Sequence, residues 1–267
     1  MDQTIPTDAL GLFTTMAQNF LTQAVGYVVV TGALYLLVWV LGARVLARRK
    51  IQQRRRSNRA QIVFELKNTL AVLLVGTGNA VAIVLLHQQG HTRLTTDIDV
   101  AGGPVVVALS LGALILLNDL WFYCWHRLMH TPKLFKHLHS VHHKSVDVSP
   151  FSSYSFHVVE GFILGGWVIP VFVFVPVYLP IVVALQGIGA LNNLMSHLGY
   201  ELLPRWLIRI PILNLSNTAT FHNLHHTHYN RNFGLHTRLW DRMFGTELEG
   251  YAEIFGTGTG GDVGGGQ

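Results

Sequence analysis

Long uncharged stretches alternate with polar segments along most of the chain. Residues 24–43, 68–86 and 100–118 contain no Asp, Glu, Lys or Arg, and the forty residues 161–200 are uncharged as well but broken by Pro170, Pro176 and Pro180. About twenty apolar residues cross a bilayer. The pattern therefore predicts three membrane spans followed by a hairpin of two, which makes an all-α integral membrane protein with about four to five transmembrane helices.

The composition agrees with this pattern and excludes other classes of protein. Of the 267 residues, 50% are hydrophobic and only 12% are charged, whereas an average soluble domain carries about 25% charged residues. Soluble globular, disordered and fibrous classes are excluded on this ground. The single cysteine, Cys124, excludes an internal disulfide, a cysteine-rich zinc site and an iron–sulfur cluster.

The distribution of positive charge predicts how the chain is oriented. Residues 44–67 hold nine Lys or Arg residues, whereas the loop 87–99 holds only Arg93. Positively charged loops stay in the cytoplasm, so we expect the N-terminus outside and the 44–67 loop inside. Later spans then place the histidine-rich segments on the cytoplasmic face. The net charge of +5 fits a membrane surface better than nucleic acid.

Three regions are expected from these features. Residues 1–100 form an N-terminal membrane region with two spans and a basic cytosolic loop, and residues 101–250 form the region that carries the histidine-rich segments. Residues 251–267, which are rich in glycine, form a tail that we expect to be flexible.

Histidine is unusually frequent, and its spacing indicates a metal site. Eleven of the fifteen histidines lie in the stretches W-H-R-L-M-H, H-L-H-S-V-H-H, N-L-M-S-H-L-G-Y-E and H-N-L-H-H-T-H. On a helix, positions i, i+3 and i+4 share a face, so the histidines of each H-x2-H-H triplet should project the same way. Neutral imidazole binds iron, zinc and copper well. These stretches therefore predict a metal site at one end of the spans.

The order H-x3-H, H-x2-H-H, H-x2-H-H resembles the fatty acid hydroxylase / sterol desaturase superfamily of integral-membrane non-haem di-iron oxidases. The stretches D-L-W-F-Y-C-W-H-R, S-P-F-S-S-Y-S-F-H-V-V-E and N-R-N-F-G-L-H-T-R-L-W-D-R-M-F-G-T agree with it. The resemblance covers roughly residues 105–250 and makes this region fatty acid hydroxylase/sterol desaturase-like. The tail of the last histidine stretch is most similar to sterol C-5 desaturases.

Nine imidazoles are metal ligands by this resemblance. They are His126, His130, His139, His142, His143, His197, His222, His225 and His226. Asn193 lies four residues before His197. Some members of the superfamily are similar here but have histidine at the earlier of these two positions. Asn193 is therefore a candidate to contact a metal directly or through water. His137 and His228 are expected to support the site or lie on the surface, and His87, His91 and His236 are expected to be interfacial polar residues.

Two further residues are candidates to orient the ligands. Asp119, Tyr123, His126 and His130 follow one another at spacings of four, three and four residues, which makes one stripe on a helix. Because a metal-bound imidazole commonly donates its other N–H to a carboxylate or carbonyl, Asp119 is expected to accept such a bond, with an interfacial cap as the alternative. His157 together with Glu160 is expected to form a second supporting pair, with a simple polar pair at a helix start as the alternative.

The resemblance implies two iron ions in a cytosolic helical cap and dioxygen as cosubstrate. It implies hydroxylation or desaturation of a lipid in the bilayer, and a separate electron donor, either a ferredoxin or a b-type cytochrome with its reductase. An intramembrane zinc hydrolase is one alternative, but it would need an H-E-x-x-H motif, which the sequence lacks. A metal transporter or haem protein is the other, and it would place its histidines within the spans.

Overall fold

The computed structural model describes residues 6–53 and 57–255, and helices make up most of this part of the chain. The α-helices are α1 (Ala9–Leu34), α2 (Arg59–Gln88), α3 (Gly103–Met129), α4 (Pro132–Leu134), α5 (Ser140–His143), α6 (Val158–Gly165), α7 (Val168–Phe174), α8 (Leu179–Ser196), α9 (Ala219–His228), α10 (Leu239–Met243) and α11 (Tyr251–Ile254). Tyr35–Leu41 and Phe135–His139 are π-helical, and Ala47–Arg49, Pro150–Ser152, Arg205–Arg209 and Leu213–Leu215 are 3-10 helices. Two short parallel strands, β1 (Leu94–Thr95) and β2 (Val177–Tyr178), pair with each other.

Local sequence explains where the long helices begin. The Asp8 side chain accepts a hydrogen bond from Gly11 N at the start of α1, and the Asn58 side chain does the same for Gln61 N at the start of α2. Both are residue types that cap helix N-termini well. Pro residues stand in the first turns of α3 and α8, where a missing N–H is tolerated.

Four helices in the described part of the chain are long and apolar enough to cross a membrane: Ala9–Leu41, Arg59–Gln88, Gly103–Met129 and Leu179–Ser196. Their outward faces expose large apolar side chains such as Val29, Leu74, Leu109, Val183 and Leu191. A face of this kind suits lipid better than water. The fold is that of an all-α integral membrane protein.

The predicted hairpin within residues 161–200 differs from the observed structure. Its first leg is not one span of about twenty residues but two short helices, α6 and α7, within the shorter apolar stretch Val158–Phe174. This leg still connects the two ends of the bundle. Glu160 lies against His139 at one end, and the carbonyl of Phe172 accepts a hydrogen bond from Arg93 N at the other.

The basic segment after α1 packs on the same end of the bundle as the histidines. Lys50 Nζ lies 2.5 Å from Asp147 Oδ1, and both side chains are buried. Gln52 Nε2 donates to Val146 O and to Asn223 Oδ1, at 2.6 and 2.9 Å. The N-terminal region therefore braces two of the histidine-rich segments of residues 101–250. Arg54–Arg56 of the basic loop lie outside the described residues.

The last described residues of the chain form a short helix, α11, that packs against the rest of the protein. The expectation of a flexible tail from residue 251 is wrong at its start, because α11 packs Tyr251 and Phe255 against Phe221 and Leu224 in a buried cluster. Residues 256–267 lie outside the described residues.

The arrangement predicts which positions share a side of the membrane. With Cys124 replaced by Ser, cysteines at Gln53 and Asn230 should react with an impermeant thiol reagent from the same side, and a cysteine at Gln89 from the opposite side. All three positions are exposed, and labelling of sealed vesicles before and after permeabilisation measures this. Labelling of Gln53→Cys and Asn230→Cys from opposite sides would contradict the fold.

Candidate metal centre

Four segments at one end of the bundle bring nine histidines together. His126 lies in the last turn of α3 and His130 directly follows its last residue, Met129. The π-helical turn Phe135–His139 and α5 carry His139, His142 and His143. His197 follows the last residue of α8, and α9 carries His222, His225 and His226. The Thr218 side chain caps α9 by accepting a bond from Phe221 N. A single π-helical turn is a common device at functional sites, and here it places His139.

The nine imidazoles form two groups. The five-histidine group consists of His126, His130, His139, His143 and His225, and the four-histidine group consists of His142, His197, His222 and His226. Within each group, one ring nitrogen from every histidine lies within 4.8 Å of all the others. The structure therefore brings together all nine histidines that the sequence predicted as ligands; their binding of metal stays a prediction.

Each triplet is divided between the two groups, which sequence spacing did not predict. The i, i+4 pair His139 and His143 joins the five-histidine group, while His142 between them joins the other. In α9 the i, i+4 pair His222 and His226 joins the four-histidine group, and His225 joins the five-histidine group. Adjacent helical residues differ in direction by about 100°, so neighbouring histidines can point at two different centres.

The facing nitrogens are spaced as ligands of a common cation would be. In the five-histidine group, Nε2 of His143 lies 3.1 Å from that of His139, 3.1 Å from that of His225 and 3.2 Å from that of His130. In the four-histidine group, Nε2 of His222 lies 2.9 Å from that of His197 and 3.1 Å from that of His226. Nitrogens bound to one cation at about 2.1 Å lie about 3.0–3.4 Å apart along the edges of an octahedron or tetrahedron.

The outer nitrogens of several rings fix their tautomers. Nδ1 of His126, His225 and His197 donates to the carbonyls of Phe233, Arg231 and Asn193, at 2.8, 2.7 and 2.8 Å. Since a carbonyl oxygen only accepts, the proton of each neutral ring is on Nδ1 and Nε2 carries a bare lone pair.

Lone pairs that converge in this way need a cation. A buried polar atom without a partner costs about 1–3 kcal/mol, so the bare Nε2 atoms of His126, His197 and His225 would alone offset a large part of the roughly 5–15 kcal/mol that stabilises a typical domain. The all-imidazole donor set therefore fits a pair of metal ions of the iron, zinc or copper kind.

Burial keeps these rings neutral. It lowers the pKa of His197 to about 4, and together with neighbouring imidazoles it lowers the pKa of His142, His143 and His226 well below the usual value. Because metals bind the unprotonated ring, the site keeps its ligands in the binding form at neutral pH.

One carboxylate contacts a ligand candidate directly. Glu160 Oε1 lies 2.6 Å from Nδ1 of His139, and both side chains are buried. A carboxylate in this position holds the ring and increases its basicity. His157 matches the alternative expected for it, a polar residue at a helix start: its Nδ1 accepts a hydrogen bond from Val159 N and caps α6. Glu160, the partner in that predicted pair, supports the site because the first turn of α6 turns it inward.

The expectation that Asp119 accepts a bond from a ligating imidazole is corrected. Its Oδ1 accepts from the backbone N–H groups of Leu235 and His236, and its Oδ2 from the hydroxyl of Thr237. The loop that contains these residues also presents Phe233, whose carbonyl holds His126. Asp119 therefore supports the site by fixing the loop that presents Phe233, and within the described part of the chain it accepts no hydrogen bond from a histidine ring.

The loop needs a glycine at its centre. A Cβ on Gly234 would lie 2.1 Å from Thr237 O, so a larger residue would open the turn. Asp241 also accepts from the N–H groups of Phe233 and Gly234. Phe233 packs its ring against His126, His130 and His225.

Asn193 is buried beside the four-histidine group but lies outside it. Its Nδ2 donates to Ser153 O at 2.7 Å, while its backbone carbonyl accepts from His197 Nδ1. The contacts in the structure thus assign Asn193 a part in orienting His197, and a direct or water-mediated contact with metal stays a prediction.

The other histidines lie outside both groups. His137 and His87 are exposed, and His91 is exposed as well. His228 is half-buried, and its Nδ1 donates to Leu224 O at 3.1 Å. His236 is buried, and its Nε2 forms a hydrogen bond with Asn118 Oδ1 at 3.0 Å. It therefore makes a contact inside the protein and is not the interfacial residue that was expected.

A small cavity of about 10 Å³ lies where the two groups meet, with room for about one water molecule. Its polar wall includes His126 and His139 of one group and His142, His197 and His222 of the other. Its apolar wall is formed by the side chains of three residues, Phe122, Phe156 and Leu235. A group held in this cavity would contact both histidine groups at once.

Sequence reasoning missed several groups that hold the site. The carbonyls of Phe233 and Arg231 orient His126 and His225, but a backbone carbonyl leaves no signal in residue identity. The stretch N-R-N-F-G-L-H-T, which contains both, was the available signal.

Comparison with known proteins gives a consistent result. A model of the fatty acid hydroxylase family matches residues 111–246, which include all nine histidines. Curated relatives include Delta(7)-sterol 5(6)-desaturases of Aspergillus fumigatus (30% identical over 199 residues, 73% of this chain and 53% of that protein), Leptosphaeria maculans (29% over 196 residues, 73% and 52%) and Saccharomyces cerevisiae (28% over 195 residues, 70% and 49%). The chain spans about half the length of these relatives. No solved structure matches.

The fold and the site together define an all-α membrane protein that carries two groups of imidazoles at one end of its helices. The chain belongs to the fatty acid hydroxylase family.

Removing one histidine from each group tests the ligand assignment. His139→Ala and His142→Ala should each lower the metal bound per chain by roughly half, because each ring belongs to a different group. Metal content by mass spectrometry of the purified variants measures this. His137→Ala is the matched control, since it removes an exposed ring two residues from His139. Full metal content in His139→Ala would contradict the assignment.

Glu160→Leu tests the supporting carboxylate. It keeps a similar volume but removes both acceptor oxygens, so metal affinity should fall roughly 10–100-fold, as is usual when such a partner is lost. Competition with a chelator measures the affinity. His157→Asn, which preserves a capping side chain, should bind metal as the parent does, and equal losses in both variants would mean that α6 matters only as a scaffold.

Proposed function

We propose that this protein is a membrane-bound non-haem di-iron oxidase that hydroxylates or desaturates an unactivated C–H position of a lipid, using dioxygen and two external electrons. The observation that carries the proposal is the pair of buried all-imidazole groups, which meet at one small cavity. The family and its sterol desaturase relatives support the oxidoreductase assignment.

The donor set favours this proposal over the alternatives. A zinc hydrolase uses about three protein ligands for its metal, whereas nine imidazoles converge here. A transporter would hold its ligands near the middle of the bilayer, whereas these histidines lie at and beyond the ends of α3 and α8. The one thiol, Cys124, is exposed and lies outside both groups.

In the proposed reaction, two iron ions supply the capacity to reduce dioxygen and to oxidise a C–H bond. Hydroxylation consumes one C–H group, one dioxygen, two electrons and two protons, and it yields an alcohol and one water. Desaturation consumes the same dioxygen, electrons and protons, removes two hydrogens from adjacent carbons, and yields an alkene and two waters.

The residues around the cavity position the substrate. Phe122, Phe156 and Leu235 offer an apolar wall, against which a saturated carbon can pack next to the histidines. Exact placement decides between the two products, because a small displacement changes which hydrogen is within reach. The names of the relatives favour desaturation of a sterol-like lipid within this class.

Charge supports a cytoplasmic position for the metal centre. The basic segment with Arg48, Arg49 and Lys50 lies at the histidine end of the bundle, where Lys50 pairs with Asp147. Loops with excess positive charge stay in the cytoplasm. The lipid would keep its apolar part in the bilayer and present its reacting carbon between the helix ends.

A separate protein is proposed to supply the electrons. Within the described residues, 6–53 and 57–255, the clusters of His, Cys, Asp or Glu that could hold a metal are the two histidine groups. Their imidazoles are accounted for by the di-iron site. A ferredoxin, or a b-type cytochrome with its reductase, fits the need for single electrons.

Reconstitution tests the proposal as a whole. Purified protein with iron, oxygen and a Delta(7)-sterol should form no product over many turnovers, and addition of ferredoxin, its reductase and NADPH should start turnover. Sterol products are measured by mass spectrometry, with fatty acyl lipids as parallel substrates. Sustained turnover from NADPH without a second protein would contradict the external electron supply, and iron-independent product formation would contradict the oxidase.

A further inference from the structure

An open groove of about 390 Å³ lies on the outer side of the five-histidine group. We call it the outer groove; it is lined by His130, Pro132, Phe135, Ser140, His143, Lys144, Tyr229 and Asn230. Two of these residues, His130 and His143, belong to the five-histidine group. The small cavity instead contacts His126 and His139 of that group. The five-histidine group is therefore approached from two separate directions.

Aromatic rings connect the surface of the outer groove to the histidines. The ring of Tyr229 is 42% exposed, and its centroid lies 4.9 Å from that of His143, which is only 4% exposed. Phe135 packs at 5.4 Å from both His130 and His143. A protein that touches Tyr229 is thus one ring away from a buried imidazole of the metal centre.

The outer groove is bordered by positive charge. Lys144 lines it, and Lys133 and Lys136 flank Phe135 on the same turn; all three are exposed. The segments that line it carry no opposing charge, since residues 120–146 and 202–240 contain no Asp or Glu. An acidic surface would be attracted here, and such attraction chiefly speeds and orients encounter.

We propose that the outer groove is the docking site of the electron donor, an acidic single-electron carrier protein. This inference rests on the proposed function, which requires two electrons per turnover. Two reduced carriers would dock in succession, and each would lose one electron from its own metal centre and leave oxidised. Interfaces of this kind are small and short-lived, so an open groove with a charged border suits them better than a large apolar face.

Direct binding tests the proposal without depending on activity. The full chain is placed in nanodiscs of neutral phosphatidylcholine, and an acidic plant-type ferredoxin is the probe. The double variant Lys133→Glu/Lys136→Glu should weaken binding by roughly tenfold, because it reverses two charges at the border. Raising the salt concentration should weaken binding of the parent protein. Arg205→Glu/Arg209→Glu is the matched control, since it reverses two exposed charges on the 3-10 helix Arg205–Arg209.

The control variant, Arg205→Glu/Arg209→Glu, should change the affinity for ferredoxin less than twofold. This result is expected for both the metal-free and the iron-loaded protein. Equal ferredoxin binding by the parent and the Lys133→Glu/Lys136→Glu variant would overturn the docking site. So would equal losses in the variant and the control. Loss of binding to phosphatidylserine vesicles with unchanged ferredoxin binding would identify a lipid-binding surface instead, and would also overturn it.

Turnover separates this inference from the proposed function. With ferredoxin as donor, the variant should show a raised KM for ferredoxin, and with dithionite-reduced methyl viologen it should match the parent. If the parent protein makes no product with reduced viologen, the proposed oxidase function is wrong. The ferredoxin-binding measurements still test the docking site in that case, because they do not depend on activity. A variant that is equally slow with both donors would contradict docking as the cause.

Discussion

The crowding of unprotonated imidazole nitrogens is the constraint on which the rest of this structure depends. Nε2 atoms of neighbouring rings lie about 3 Å apart in both groups, and the carbonyls that hold Nδ1 of His126 and His225 leave their Nε2 atoms without hydrogens. In an apolar interior such an arrangement is unfavourable unless cations occupy its centres. Hydrogen bonds at Nδ1 hold His126, His139, His197 and His225 in this otherwise repulsive geometry.

The membrane helices and the outer segments divide this work between them. α3 and α8 end at the site and deliver His126 and His197 from fixed directions. Short turns and α9 deliver the remaining rings, and they are held by contacts from remote parts of the chain. Gln52 joins Val146 to Asn223, and Asp119 fixes the loop whose carbonyl orients His126. The N-terminal region thus stabilises a site to which it gives no ligand.

The histidine groups border two spaces with different linings, a small cavity and an open groove. The small cavity has room for about one water molecule, is lined in part by Phe122, Phe156 and Leu235, and contacts both histidine groups. The outer groove has a basic border and contacts the five-histidine group alone. In the proposed oxidase, this separation would let a lipid and an electron carrier approach the centre without competing for one surface.

Much of this architecture could be predicted from the sequence, and the exceptions have physical reasons. Uncharged stretches predicted the long helices, and histidine spacing predicted the nine rings that converge. Spacing along one helix did not predict how His142 and His143 would divide between two groups, because that depends on where the facing helix lies. Asp119 was expected to hold a ring, but the nearby N–H groups of Leu235 and His236 take its oxygens. The break between α6 and α7 lies at Gly166 and Trp167, within a stretch whose hydropathy is continuous.

We propose that the two histidine groups hold two iron ions, mainly through imidazole nitrogens. X-ray absorption at the iron edge of the purified protein, combined with its metal content, tests this most directly. The account predicts about two iron ions per chain, each with nitrogen or oxygen neighbours at roughly 2.0–2.2 Å and several imidazole rings in the outer scattering. One zinc ion per chain, sulfur among the nearest neighbours, or the signature of haem would contradict it.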